Sequence, residues 1–157
     1  MGIMFRAEEM IKTAIEIEKN GIVFYEVAAK GARQPKLKEA CLQFAEQERE
    51  HQALFEKMLA SLGKEEAVDD EDASEEERYI KSLADHTVFT GQDTLAKVLR
   101  QTVGIDVVSL AIDMEKDSIL FYSEVRSLVK AAERHAIDQI IDEERAHVLR
   151  LFEFWKQ

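Results

Sequence analysis

Glu18 stands seven residues from both Ile11 and Tyr25, which sets a carboxylate inside the apolar stripe of a helix and not on its wet face. The stripe around it, Ile11, Ala14, Ile15, Ile22 and Tyr25, steps by three and four residues along a segment from about Ala7 to Lys30. Glu115 holds the same kind of place between Val108 and Tyr122. Glu48 and His51 lie between Phe44 and Phe55, and Glu144 and His147 lie between Ile140 and Leu151. Four carboxylates and two imidazoles are therefore aimed at one apolar interior. Left unpaired, each buried carboxylate costs on the order of several kcal/mol, so these groups must hold protons, meet cations or bind metal.

The pattern occurs twice. The twelve residues from Ala14 to Tyr25 align without gaps on those from Ala111 to Tyr122, with seven identities. Downstream, Glu48-Arg-Glu-His51 matches Glu144-Arg-Ala-His147, and the leading glutamate precedes its Glu-x-x-His by 30 residues in the first half and 29 in the second. A duplicated hairpin explains this spacing. The first hairpin pairs the Ala7 helix with one that starts at Pro35, where proline suits a first turn. That second helix carries Leu37, Cys41, Phe44, Leu54, Phe55, Met58 and Leu62 on its stripe, and Gly63 is its expected C-cap.

In the second hairpin, Val108, Ala111, Ile112, Ile119, Tyr122, Val125 and Leu128 mark one helix, with Asp106 as its expected N-cap. Ala136, Ile137, Ile140, Ile141, Leu151 and Phe152 mark the other, which ends near Trp155. A connection over about 64–104 joins the hairpins, with short helices expected at Tyr79 to His86 and Asp93 to Arg100. Two short-loop hairpins with one long crossover predict an all-α, ferritin-like four-helix bundle, a single domain over 1–157. Helices of 25 residues run about 37 Å, long enough to enclose a central site. One proline and six glycines in 157 residues supply too few turns for a fold of many short strands.

Charge and cysteine usage narrow the partners. The formal net charge is −11, which excludes a general nucleic-acid or anionic-membrane surface. Nine of the acids, Glu65, Glu66, Asp69, Asp70, Glu71, Asp72, Glu75, Glu76 and Glu77, fall in one stretch of the connection. It reads as a solvated linker, with a metal-collecting funnel as the alternative. Cys41 is the only cysteine, so the chain has no internal disulfide and no four-cysteine metal centre; on the stripe it reads as a core residue. With no signal peptide and no run of about 18 apolar residues, the expected location is the cytoplasm. His86 and His135 lack a glutamate three residues before them and read as surface or loop histidines, and Trp155 as a packing or dimer-contact residue.

With no basic cluster on the stripe, a pair of divalent ions is the natural counter-charge for Glu18, Glu48, Glu115 and Glu144. His51 and His147 sit one turn beyond Glu48 and Glu144 on the same faces, so each can complete one ion. Carboxylate with nitrogen suits iron or manganese, and zinc as a redox-silent substitute.

These residues resemble the ferritin-like di-iron carboxylate proteins, and most closely a rubrerythrin-type domain, over essentially the whole chain. The resemblance implies two irons per chain, with Glu18 and Glu115 as terminal ligands, Glu48 and Glu144 bridging, and His51 and His147 each binding one iron. It also implies that Tyr25 and Tyr122 hydrogen-bond ligand carboxylates, where buried aromatic packing is the rival reading. Gly21 and Ser118, small residues one turn after the terminal glutamates, either leave room for an oxidant or let helices approach.

The chain departs from that family at several points. It has no rubredoxin module, so an external electron donor such as a rubredoxin is required. Ser118 stands where rubrerythrins carry an additional glutamate that takes part in their peroxidase mechanism. Arg49 stands where bacterioferritins have their haem methionine, so no haem is expected, and the extra C-terminal helix of cage-forming ferritins is not accommodated. The function implied is an oxidoreductase acting on hydrogen peroxide. The alternatives are an oxygen-reducing or ferroxidase, iron-handling protein and a non-catalytic bundle stapled by metal, and the fold analogy implies a homodimer.

Overall fold

The computed structural model describes residues 2–62, 74–100 and 104–155, and among them every regular element is an α-helix. They are α1 (Gly2–Gly31), α2 (Pro35–Ser61), α3 (Glu75–Arg100), α4 (Gly104–Leu128) and α5 (Ala131–Trp155). Pro35 opens α2 after Gln34 in extended conformation, since a proline ring is already set for helix and its missing N–H has no partner to lose there. At the far end of α2 the Leu62 amide donates to the Leu59 carbonyl at 3.2 Å. Gly63, the expected cap, lies outside the described residues, as do Glu65, Glu66, Asp69, Asp70, Glu71 and Asp72.

The connection differs from expectation in two respects: the two short helices are a single 26-residue α3, and that helix starts at Glu75 and not Tyr79, so Glu75, Glu76 and Glu77 form its first turn and are not linker. It begins at a reciprocal cap, in which the Ser74 amide donates to Glu77 Oε2 at 2.8 Å and the Glu77 amide donates to Ser74 Oγ at 3.3 Å. The residues that read as a break, Thr87 to Gly91, have other work. Thr87 folds its hydroxyl back onto the Leu83 carbonyl at 2.7 Å. Gly91 is a close approach: a Cβ there would lie 3.2 Å from Asn20 Nδ2, where α3 crosses α1. The start of α4 is also corrected, because the helix begins at Gly104 and places Asp106 inside its first turn.

Three-residue and two-residue links make α1/α2 and α4/α5 antiparallel hairpins. In the bundle α1 packs on α2 and α4, and α5 on α4 and α2, which closes a four-helix ring. Contacts fix the directions. Tyr25 meets Glu115 while Tyr122 meets Glu18, so α1 and α4 run antiparallel. His51 meets Glu143 while His147 meets Gln47, so α2 and α5 do too. Consequently α2 and α4 run the same way, and the chain must return the full length of the bundle between them. At about 1.5 Å per residue α3 covers about 39 Å, and it makes that return against α1 and α4. This is the ferritin-like connectivity.

The apolar core falls into two parts. One holds Ile11, Ile15, Phe55, Phe121, Val125, Ile137 and Ile140, and the other holds Phe24, Ala40, Cys41, Phe44, Val108 and Leu151. Between them lies a polar layer of Glu18, Glu48, His51, Glu115, Glu144 and His147, each no more than 4% exposed. Two stripe residues stand further out than their periodicity implied, Leu54 at 37% and Phe152 at 36% exposed, because the apolar arc is wider than the face a ring of four helices can cover.

Candidate metal centre

One helix of the ring supplies each part of the polar layer. Glu18 comes from α1, Glu48 and His51 from α2, Glu115 from α4, and Glu144 and His147 from α5. The i, i+3 spacing within α2 and α5 keeps each glutamate and histidine on one face. The imidazole rings stack loosely across the centre, 6.2 Å apart at 26°. Both turn Nδ1 inward. His51 Nδ1 is 3.0 Å from Glu144 Oε1 and 3.6 Å from Glu18 Oε2. His147 Nδ1 is 3.1 Å from Glu144 Oε2, 3.3 Å from Glu115 Oε1 and 3.4 Å from Glu48 Oε1.

The donor atoms sort into two groups, each within a 4.8 Å span: Glu18, Glu48, His51 and Glu144, and Glu48, Glu115, Glu144 and His147. Glu48 and Glu144 belong to both. Glu18 Oε2, Glu48 Oε1, His51 Nδ1 and both Glu144 oxygens are buried without a hydrogen-bond partner. Orphaned polar atoms of this kind are rare in folded proteins, and these converge on one place. A carboxylate-rich set with one nitrogen per group fits a pair of divalent first-row ions, and the residues present fit the metals inferred from the sequence.

Protons are crowded here in the absence of metal. Burial raises Glu18 well above the carboxylate range, helped by the charges of Glu48 and Glu144. Burial and the charges of Glu115 and Glu48 push Glu144 up to about 8. Burial also works against charge on His51, yet the nearby carboxylates of Glu144 and Glu18 prevail and raise it to about 12. His147 is raised in the same way, by Glu115, Glu144 and Glu48. Glu115 moves the other way: burial would raise it, but the bond to and charge of His147 hold it below the usual range. Metal ions and these protons compete for the same atoms.

A surrounding set of side chains holds the glutamates and histidines in place. Tyr25 donates its hydroxyl to Glu115 Oε1 and Tyr122 donates to Glu18 Oε1, so each half's tyrosine serves the other half's glutamate. Burial and the nearby carboxylate charges raise both phenols, which keeps them neutral donors. Gly21 is where Glu48 needs space: a Cβ there would sit 2.9 Å from Glu48 Oε2. Ser118, its counterpart, turns its hydroxyl to the Met114 carbonyl at 3.0 Å. Outside the polar layer, Cys41 is 2% exposed and burial pushes its thiol up to about 11, which leaves it an unreactive core residue. His86 and His135 are exposed, and Trp155 packs edge-on against Phe152 at the end of α5.

Glu143 and Gln47 were missed by sequence reasoning. His51 Nε2–H donates to Glu143 Oε2 at 2.7 Å, and His147 Nε2–H donates to Gln47 Oε1 at 2.9 Å. The signal was present in the repeat: each immediately precedes the glutamate of a Glu-x-x-His.

A four-helix ring with a crossover and a buried layer of four glutamates and two histidines defines the class of ferritin-like carboxylate metalloproteins. The family model for rubrerythrin matches residues 9–154, and the chain belongs to that family. No curated protein and no solved structure matches it.

Proposed function

We propose that this chain is a di-iron oxidoreductase that reduces hydrogen peroxide to water with electrons from an external donor such as a rubredoxin. The observation that carries the reading is the convergence of orphaned carboxylate oxygens and an imidazole nitrogen at the centre of a rubrerythrin-family bundle. Glu18 and His51 would hold one iron, Glu115 and His147 the other, and Glu48 and Glu144 would bridge. Bound there, an iron pair supplies the two electrons that, with two protons, convert one peroxide into two waters. The protein's part is positional. Tyr25 and Tyr122 fix the terminal carboxylates and keep a neutral hydroxyl at the edge of the site. The apolar layers on either side, Phe44 and Leu151 on one and Phe55 and Ile140 on the other, exclude bulk water.

One observation favours a second reading, oxidation by dioxygen with ferrous iron as substrate: Ser118 is bonded to the Met114 carbonyl and offers no further carboxylate. Stopped-flow oxidation of the anaerobic, iron-loaded protein separates the two. Faster reaction with hydrogen peroxide than with dioxygen is the expected result. Faster reaction with dioxygen, with repeated turnover of added ferrous iron, would move the assignment to iron oxidation and storage chemistry. No described helix is long and apolar enough to cross a membrane, and a single buried cysteine accords with a reducing compartment, for which we propose the cytoplasm.

A further inference from the structure

The two donor groups are matched atom type for atom type. Each contains one terminal glutamate, the shared Glu48 and Glu144, and one histidine. Each terminal glutamate accepts one tyrosine hydroxyl. The mismatch lies behind the histidines. Both rings face the glutamates with Nδ1, the nitrogen a metal would take, and with Nδ1 so occupied Nε2 carries the ring proton and must donate outward. His51 donates to the Glu143 carboxylate at 2.7 Å, whereas His147 donates to the Gln47 amide oxygen at 2.9 Å. A hydrogen bond to an ionised acceptor is roughly twice as strong as one to a neutral acceptor, and it draws the N–H proton away from the ring. The ring's other nitrogen becomes more electron-rich and a better ligand.

We propose that Glu143 and Gln47 make the two metal positions unequal, so that the position served by Glu18 and His51 binds a divalent ion more tightly than the one served by Glu115 and His147. This inference rests on the di-metal reading above. Glu143 and Gln47 act as positioning residues, each through the histidine of the opposite hairpin. Glu143 reaches His51 with a side chain that is itself 46% exposed, so replacing it leaves the core intact.

The test is cobalt(II) titration of the full metal-free chain against a chromophoric chelator, with proton NMR of the cobalt-loaded protein. Two bound ions repel each other, which separates the binding steps by itself, so the variants carry the test. Glu143→Gln takes the charge from the acceptor and should weaken the tighter step by about 10- to 100-fold, as mutation of a ligand's outer partner generally does, and leave the weaker step within about 2-fold. Gln47→Glu should tighten the weaker step. In the NMR spectrum each variant should move one of the two hyperfine-shifted imidazole N–H signals and not the other. Asp142→Asn removes the same charge from the neighbouring position, whose side chain pairs with Arg145, and should change neither step. Equal weakening of both steps by Glu143→Gln, or the same effect from Asp142→Asn, would overturn the proposal and leave the di-metal reading standing. Failure of the wild-type chain to bind cobalt at all would overturn both.

Discussion

The hairpins α1/α2 and α4/α5 bring the same ligand types to the centre from nearly the same sequence, and they differ in what stands around those ligands. In the first hairpin Gly21 gives up its side chain so that Glu48 can occupy the space, while in the second Ser118 keeps a hydroxyl and spends it on its own helix. The terminal glutamates also part company electrostatically. Glu18 is raised by burial and by Glu48, whereas Glu115 is lowered by His147. Behind the histidines stand a carboxylate on one side and an amide on the other. Duplication therefore preserved the inward-facing atoms, and the two halves diverged one layer further out, where a change alters the strength of a ligand without removing it.

The comparison breaks most completely at the shared residues. Glu144→Ala and Glu48→Ala each delete a group common to both donor sets, so either should abolish binding of a metal pair and not of one ion alone. Cobalt stoichiometry by absorbance checks this, and a variant that retained both ions would contradict the shared role. In the metal-free chain Glu144 is the near partner of both His51 and His147, so Glu144→Ala should also lower the stability of the metal-free fold, measured by thermal unfolding in chelator.

Gly21 and Ser118 sharpen the comparison at the next scale. Gly21→Ala would place a methyl 2.9 Å from Glu48 Oε2, and the carboxylate must move for the side chain to fit. We expect metal affinity to fall by about tenfold or more, the scale on which disturbing a ligand's support usually registers. Ser118→Ala removes only a bond from Ser118 to its own helix and should change metal affinity by less than about threefold. A Gly21→Ala effect as small as that expected for Ser118→Ala would show that Glu48 moves without cost.

The smallest expected effect is on pH dependence. In the metal-free chain Glu18 is raised and Glu144 is raised to about 8, while unfolded carboxylates titrate near their ordinary value. Both acids therefore oppose folding increasingly as pH rises above about 4.5 toward 8. His51, raised to about 12, and His147, also raised, add stability that is complete below about pH 6.5 and is lost as pH climbs. Glu115, lowered, has the opposite sign, but its contribution is lost only on acidification below the ordinary carboxylate range. Stability without metal should thus decline between about pH 6 and 8.5, and the stabilisation added by cobalt should grow over the same interval as protons leave the ligands. Thermal unfolding with and without cobalt at the two pH values measures both slopes, and a flat metal-free profile would mean that the folded and unfolded chains hold the same number of protons, against the raised Glu18 and Glu144.

The helices and the inward-facing groups were legible in the chain because both are one-dimensional facts. A stripe repeating at three and four residues states which side chains share a face, and a glutamate on that stripe is buried wherever the helix packs. Ser74 and Glu77 cap the start of α3 through chemistry just as local, yet the acids around them read as linker and the helix was expected only from Tyr79. Gly91 misled because its meaning lay across the bundle, in the approach of α3 to Asn20. The same holds for Tyr25 with Glu115, Tyr122 with Glu18, His51 with Glu143 and His147 with Gln47, all of them contacts between hairpins. Periodicity carries no information about the axial offset of one helix against another. That offset is set by how side chains of both cores interlock, so the sequence alone determined which atoms face the centre, and only the packed bundle decided which residue stands behind each of them.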